Sequence, residues 1–141
     1  MKLLSIIYAV TIVGCMNVQT FQGVLTVQEN LSPCGASPNC VSTEGPKERL
    51  IEPLPYFGSD SFSFILQYLK KHYNTEVLEE SATYLHVVIT TNILRFKDDL
   101  EFMLKPELGV IEMRSASRVG YYDMGINRKR LEKLRVHLEA L

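Results

Sequence analysis

Leu100-Glu101-Phe102-Met103-Leu104-Lys105-Pro106-Glu107-Leu108-Gly109-Val110-Ile111-Glu112-Met113-Arg114-Ser115 is the stretch on which the fold turns. Side chains alternate between the two faces of a strand, so Leu100, Phe102 and Leu104 share one face; Val110, Glu112 and Arg114 share a face of the next run. Pro106-Glu107-Leu108-Gly109 between the runs has turn chemistry. The two runs therefore predict an antiparallel strand pair, Leu100–Leu104 with Val110–Ser115. Upstream, Thr75–Glu80 and Thr83–Thr91 flank the short Ser81-Ala82 connection and supply a second pair.

Helical periodicity brackets these four strands. Phe62, Ile65, Leu66, Leu69 and Tyr73 follow one buried helical face after a start near Asp60, where Ser59 or Ser61 is the capping candidate. Lys70, Lys71 and His72 fall in the last turn, where cations suit the helix dipole. A second helix is predicted from about Ile126 to Ala140. Its apolar stripe is Leu131, Leu134, Leu138 and Leu141, with Arg128, Lys129, Arg130, Lys133 and Arg135 largely off it. The expected fold is a two-layer α+β domain over 59–141, a four-stranded antiparallel sheet with an N-side helix and a C-terminal helix covering one face. Residues 31–58 carry Pro46, Pro53, Pro55, Gly45 and Gly58 and read as an irregular arm.

The chain of 141 residues allows one ordinary domain, and 46% hydrophobic with 22% charged residues excludes a disordered or collagenous chain. A net charge of −1 argues against binding nucleic acid through overall charge. The N-terminus carries an address. Lys2 precedes an apolar run from Leu3 to Val13 that is too short to span a bilayer. Ile12-Val13-Gly14-Cys15 resembles a bacterial lipobox, with a small residue before a cysteine that is lipidated and becomes the new N-terminus. Residues 1–14 are thus expected as a lipoprotein signal peptide and 15–30 as a polar tether. Met16 is not Asp, which favours the outer membrane and a domain in the periplasm. The expected partner is the membrane, through the Cys15 lipid anchor.

Export places Cys34 and Cys40 where thiols oxidise, and Gly35 with Pro38-Asn39 can turn the chain between them, so a disulfide is expected. The alternatives are a metal site, for which no third ligand lies nearby in sequence, and a redox pair, whose usual spacing is shorter.

Two stretches carry a family resemblance. Ser37-Pro38-Asn39-Cys40-Val41-Ser42, with the proline-rich arm ending Pro53-Leu54-Pro55-Tyr56, is one. The other is Arg95-Phe96-Lys97-Asp98-Asp99 together with Arg114-Ser115-Ala116-Ser117-Arg118-Val119-Gly120-Tyr121-Tyr122-Asp123-Met124-Gly125-Ile126-Asn127-Arg128-Lys129-Arg130. Over roughly residues 31–138 the chain resembles the family catalogued as domain of unknown function 1499. That resemblance implies no activity, substrate or cofactor.

Chemistry-bearing residues are sparse. Asp98, Asp99 and Glu101 are the paired-carboxylate candidates, but strand parity sends Asp99 and Glu101 to one face and Asp98 to the other. Ser37, Ser42, Ser115 and Ser117 lack an assigned base, since nothing places His72, His86 or His137 beside them. No catalytic residue, metal ligand or cofactor is assigned, and the expected role is non-catalytic binding or structural support. A hydrolase or transferase acting on an envelope component is the alternative. Residues 114–141 hold seven Lys and Arg against three acids, whereas 15–113 hold seven against thirteen. That asymmetry offers a basic face to an anionic ligand or an acidic protein partner, or else internal pairing of Arg114 and Arg118 with Asp98, Asp99 or Asp123. Asp98, Asp99, Arg114, Arg118, Asp123, Asn127 and Arg130 form the candidate polar cluster, ligand-binding or structural. A structural Arg118 implies a loss of roughly 3–5 kcal/mol on Arg118→Ala.

The lipobox generates the first prediction. Cys15→Ala abolishes incorporation of labelled lipid and leaves the protein unprocessed or soluble after export; a wild type that takes up no lipid yet fractionates with membranes overturns the assignment.

Overall fold

The computed structural model describes residues 30–141. The expected signal peptide, Cys15 and the tether up to residue 29 lie outside the described residues. The element order is β1 (Cys40–Ser42), β2 (Leu54–Pro55), α1 (Ser61–His72), β3 (Asn74–Glu80), β4 (Tyr84–Thr90), β5 (Lys97–Lys105), β6 (Val110–Ser117) and α2 (Ile126–Glu139). Among the described residues the class is α+β, with two α-helices and an antiparallel sheet.

The sheet has six strands rather than the expected four. Its order is β1-β6-β5-β4-β3, and β2 also pairs with β6. The two additional strands come from the proline-rich arm. Cys40 pairs with Ala116 and Ser42 with Arg114, while Leu54 pairs with Ile111 and Pro55 with Val110. Segments of three and two residues are too short to display alternation, and their prolines weigh against strands. Proline is nonetheless tolerated on an edge strand, where its missing N–H breaks no ladder bond. The four expected strands are present as β3 to β6, and β5 begins three residues earlier than expected, at Lys97, so Asp98 and Asp99 belong to the ladder.

Both helices cover one face. Leu85, Val87 and Ile89 of β4, Leu100, Phe102 and Leu104 of β5, and Ile111 and Met113 of β6 form a single core with side chains from both helices. Phe62, Ile65 and Leu69 come from α1, and Leu131, Leu134 and Leu138 from α2. Leu66 and Tyr73 only flank this core, and Tyr68 is buried instead. Neither expected serine caps α1. Asp60 occupies the N-cap position without a side-chain bond, and the Ser61 hydroxyl donates to the Gly58 carbonyl at 2.7 Å. The stripe on α2 also differs from expectation at both ends. Leu141 is 72% exposed because the helix stops at Glu139, whereas Asn127 and Arg130 continue the buried face as polar residues.

The opposite face of the sheet carries a second, small cluster in which Leu31 packs against Tyr84 and Met103. The arm thus crosses that face before entering β1. Cys34 and Cys40 are disulfide-bonded with Cα atoms 5.7 Å apart, which closes the segment leading into the edge strand. The arm is also tied at Arg49, whose guanidinium donates to the carbonyls of Gly35 and Ser37. On the other side of the arm, Arg135 of α2 donates to the carbonyls of Glu52 and Pro53.

Closing so short a loop stabilises the fold by about 2 kcal/mol in the chain-entropy account. Reduction of the disulfide is therefore expected to lower the unfolding free energy by that amount, read from urea titrations with and without reductant. Cys34 and Cys40 should alkylate only after reduction; two freely alkylated thiols in oxidised protein contradict the bridge.

Candidate functional site

Strand parity sorts the acidic residues of β5 before any tertiary contact is made. Asp98 shares the helix-facing side with Leu100, while Asp99 and Glu101 share the other. The sheet consequently divides the expected polar cluster into two networks.

On the helix side, Arg130 Nη2 donates to Asp98 Oδ2 at 2.6 Å, and both side chains are only 4% exposed. Arg130 Nη1 donates to Asn127 Oδ1 at 3.0 Å, and Ser115 Oγ donates to the same oxygen at 2.5 Å. The guanidinium carbon stands 5.5 Å from the centroid of the Tyr73 ring, a cation–π contact. The Asn127 amide nitrogen reaches Asn39 O at 3.0 Å, Ser117 Oγ at 3.0 Å and Asp123 Oδ2 at 2.8 Å. Asp123 in turn accepts the Gly125 N–H at 2.9 Å and the Asn127 N–H at 2.9 Å. This carboxylate holds the first turn of α2, where N–H groups lack helical partners. Gly125, at the N-cap with φ 73°, supplies the left-handed backbone that lets the chain turn from Asp123 into the helix.

On the opposite face, Glu101 is almost wholly buried, and Arg114 lies directly across from it in the β5–β6 ladder. Arg114 Nη1 donates to Glu101 Oε1 at 2.6 Å, Tyr84 Oη to Oε2 at 3.0 Å, and the Ser32 N–H to Oε2 at 2.8 Å. Burial and the neighbouring Glu101 carboxylate push the Tyr84 hydroxyl far above its usual range. Asp99 receives a fork from Arg118, Nε to Oδ2 and Nη2 to Oδ1, each at 2.8 Å, and His86 Nε2 lies 2.8 Å from Oδ1. Burial raises the Asp99 pKa, but the hydrogen bonds and charges of Arg118 and His86 outweigh it and hold the carboxyl below its usual value.

Six of the seven cluster residues pair within the cluster, and the Arg130–Asp98 pair is one that the expected pairing of Arg114 and Arg118 did not include. Arg118 takes Asp99, Arg130 takes Asp98, and Asp123 braces Asn127. Arg114 takes Glu101 rather than an aspartate. Tyr84, His86, Ser115 and Asn39 also belong to the networks. Their membership depends on strand register and on the approach of the arm, which no local pattern encodes. His72 and His137 both stack near the Tyr68 ring, at 4.6 and 4.8 Å between centroids, away from these groups. Among the described residues no group of three or more His, Cys, Asp or Glu is placed to hold a metal ion.

Beside the helix-side network lies a cleft of about 530 Å³, walled by the β4–β5 connection and by the loop from β6 to α2. Ile93, Leu94, Phe96, Val119, Tyr122 and Met124 supply apolar walls, and Asp98, Ser117 and Asp123 contribute polar atoms. The first wall is held by the Thr91 N–H to Phe96 O bond at 2.8 Å and the Phe96 N–H to Thr91 Oγ1 bond at 2.9 Å. The second is held by Asn39, whose amide nitrogen donates to the Ser117 and Gly120 carbonyls. The cleft is absent from the expectations drawn from the sequence, since its walls lie far apart along the chain. Its signal was the pairing of bulky apolar residues with turn chemistry in both connections, Ile93-Leu94 and Tyr121-Tyr122.

The burial difference between the ion pairs is decisive for stability. Arg130→Met leaves Asp98 unpaired in the interior and is expected to cost about 3–5 kcal/mol. Arg118 is 41% exposed, so Arg118→Ala is expected to cost no more than about 1 kcal/mol, displacing the larger loss anticipated from sequence. Denaturant unfolding of the two variants tests the order; equal losses contradict the assignment of the buried charge.

No curated protein and no solved structure matches the chain. The model of the family described as "Protein of unknown function (DUF1499)" matches residues 30–138, which span the disulfide, both polar networks and the walls of the cleft. The chain belongs to the DUF1499 family.

Proposed function

We propose that this is an exported, lipid-anchored envelope protein whose domain works by binding, and that the apolar cleft takes the hydrocarbon part of an amphipathic molecule. The observation that carries the reading is the composition of the cleft. Val119 is 55% exposed, Leu94 and Tyr122 66% and Met124 74%, and all of them border one concavity. Exposed apolar side chains gathered around a cleft mark a binding surface, because their burial is what releases ordered water.

The adjoining polar groups support recognition rather than bond chemistry. Asp98 is engaged by Arg130, and Asp123 by the first turn of α2. Their dipoles are held in place and suit the orienting of a polar head. The hydrolase or transferase reading has one observation in its favour, the 2.8 Å contact between His86 and Asp99, which fixes an imidazole as a base requires. That pair stands on the opposite face of the sheet from the cleft, and Asp99 is shared with the Arg118 fork.

Isothermal titration of the mature protein with a single-chain lysophospholipid, kept below its micellar concentration, tests the reading. Saturable binding with a negative heat-capacity change is expected, since apolar surface is buried. Tyr122→Glu should weaken it about tenfold, or 1.4 kcal/mol, without lowering the melting temperature. The absence of saturable heat in the wild type rejects the cleft as the binding site.

A further inference from the structure

The end of the sheet that holds the cleft differs in chemistry from the opposite end. Register places both walls together there: Thr90 pairs with Lys97 as β4 turns into β5, and Asp98 pairs with Ser117 as β6 leaves the sheet. Beyond these pairs stand Ile93, 90% exposed, and Tyr121, 74% exposed. Arg95 is exposed in the first connection, Lys97 at the first position of β5, and Lys129 in the first turns of α2. The aspartates of this end are turned to internal partners: Asp98 to Arg130, Asp99 to Arg118, and Asp123 to backbone N–H groups. At the other end the exposed residues beside the turns include Glu79, Glu80 and Glu107. The domain is thus polarised along its strands, basic with a cluster of exposed apolar residues at one end and acidic at the other, where Leu108 alone of the turn between β5 and β6 is a large exposed apolar residue.

We infer that the basic, apolar end seats on an anionic lipid bilayer. Ile93, Leu94, Tyr121 and Met124 enter the boundary between headgroups and acyl chains, and Arg95, Lys97 and Lys129 meet the phosphates. Aromatic and aliphatic tips flanked by Lys and Arg are the chemistry of an interfacial anchor, with charge attraction and apolar burial acting together. The acidic opposite end would be repelled by the same surface. Reach does not limit the arrangement. From Met16 to Asn30 an extended chain spans about 50 Å, and the nine residues of β5 span only about 30 Å. Leu31 enters the fold against Tyr84 and Met103, near the acidic end, and a tether of this length still lets either end face the membrane. The seating goes beyond the cleft reading and stands without it, because it requires the loop tips and not an occupant between them.

The test uses the protein as cells make it, mixed with vesicles of phosphatidylethanolamine with or without phosphatidylglycerol. An environment-sensitive fluorophore is placed on a cysteine introduced as Ile93→Cys and, separately, as Leu108→Cys at the acidic end. Both positions are exposed, and unchanged melting curves verify the fold. With phosphatidylglycerol present, the label at 93 is expected to shift to the blue and lose about half its emission or more to a quencher carried on the lipid, while the label at 108 keeps its aqueous spectrum. Omitting the anionic lipid, or combining Arg95→Glu with Lys97→Glu, should remove most of the shift. An aqueous spectrum at both positions overturns the inference. So does a blue shift at 93 without vesicles that accompanies a dimer in sedimentation, since the apolar end would then be covered by a second copy of the chain. Loss of lysophospholipid binding with the bilayer shift retained would reject the cleft reading alone.

Discussion

The contact between Arg130 and Asp98 constrains everything around it. Two opposite charges, each 4% exposed, lie between the first turns of α2 and the start of β5. Burying either alone costs several kcal/mol, so the pair exists only if the helix sits at one height and one rotation above β5. Asn127 and Ser115 accept from Nη1 of the guanidinium, while its buried Nε has no hydrogen-bond partner. An apolar interface of leucines tolerates small slips, whereas a slip here would separate two buried charges. The register of α2 against the sheet follows from that.

The arm depends on the same network. Asn127 donates to the Asn39 carbonyl, and Asn39 donates to the carbonyls of Ser117 and Gly120. The residue immediately before β1 therefore links the helix start, the end of β6 and the loop that walls the cleft. The Cys34–Cys40 bridge closes the chain around that residue. Disulfide, edge strand and cleft wall are consequently parts of one assembly, although they are distant in sequence. On the far face, Glu101 plays a comparable part for the beginning of the arm, because it accepts the Ser32 N–H as well as Arg114 and Tyr84.

A sheet with polar networks on both faces leaves little chemistry uncommitted. The carboxylates of β5 all have basic partners, and those partners fix geometry. Among the described residues, exposed apolar side chains gather most densely at one end, where two connections project beyond the ladder. Folding gains nothing from exposing Ile93, Tyr121 and Met124 there, since solvent-exposed hydrocarbon offers no burial. Their placement makes sense as a surface for an occupant or an interface outside the chain.

Sequence alone determined the class of the fold, because local periodicity survives in strands of seven to nine residues and in helices of twelve and fourteen. It also determined that Asp98 and Asp99 part company across the sheet, since parity is a property of the strand itself. The Cys34–Cys40 bridge was legible from the turn residues between the two cysteines. The edge strands were not, because three residues at Cys40–Ser42 and two at Leu54–Pro55 are held by β6 and not by any preference of their own. Only the tertiary structure decided that Arg130 is buried and Arg118 half-exposed, that Glu101 rather than an aspartate receives Arg114, and that two distant loops form one cleft. In each of these the outcome rests on which segment approaches from across the fold, and a charge or an apolar side chain has no fixed role until that neighbour is in place.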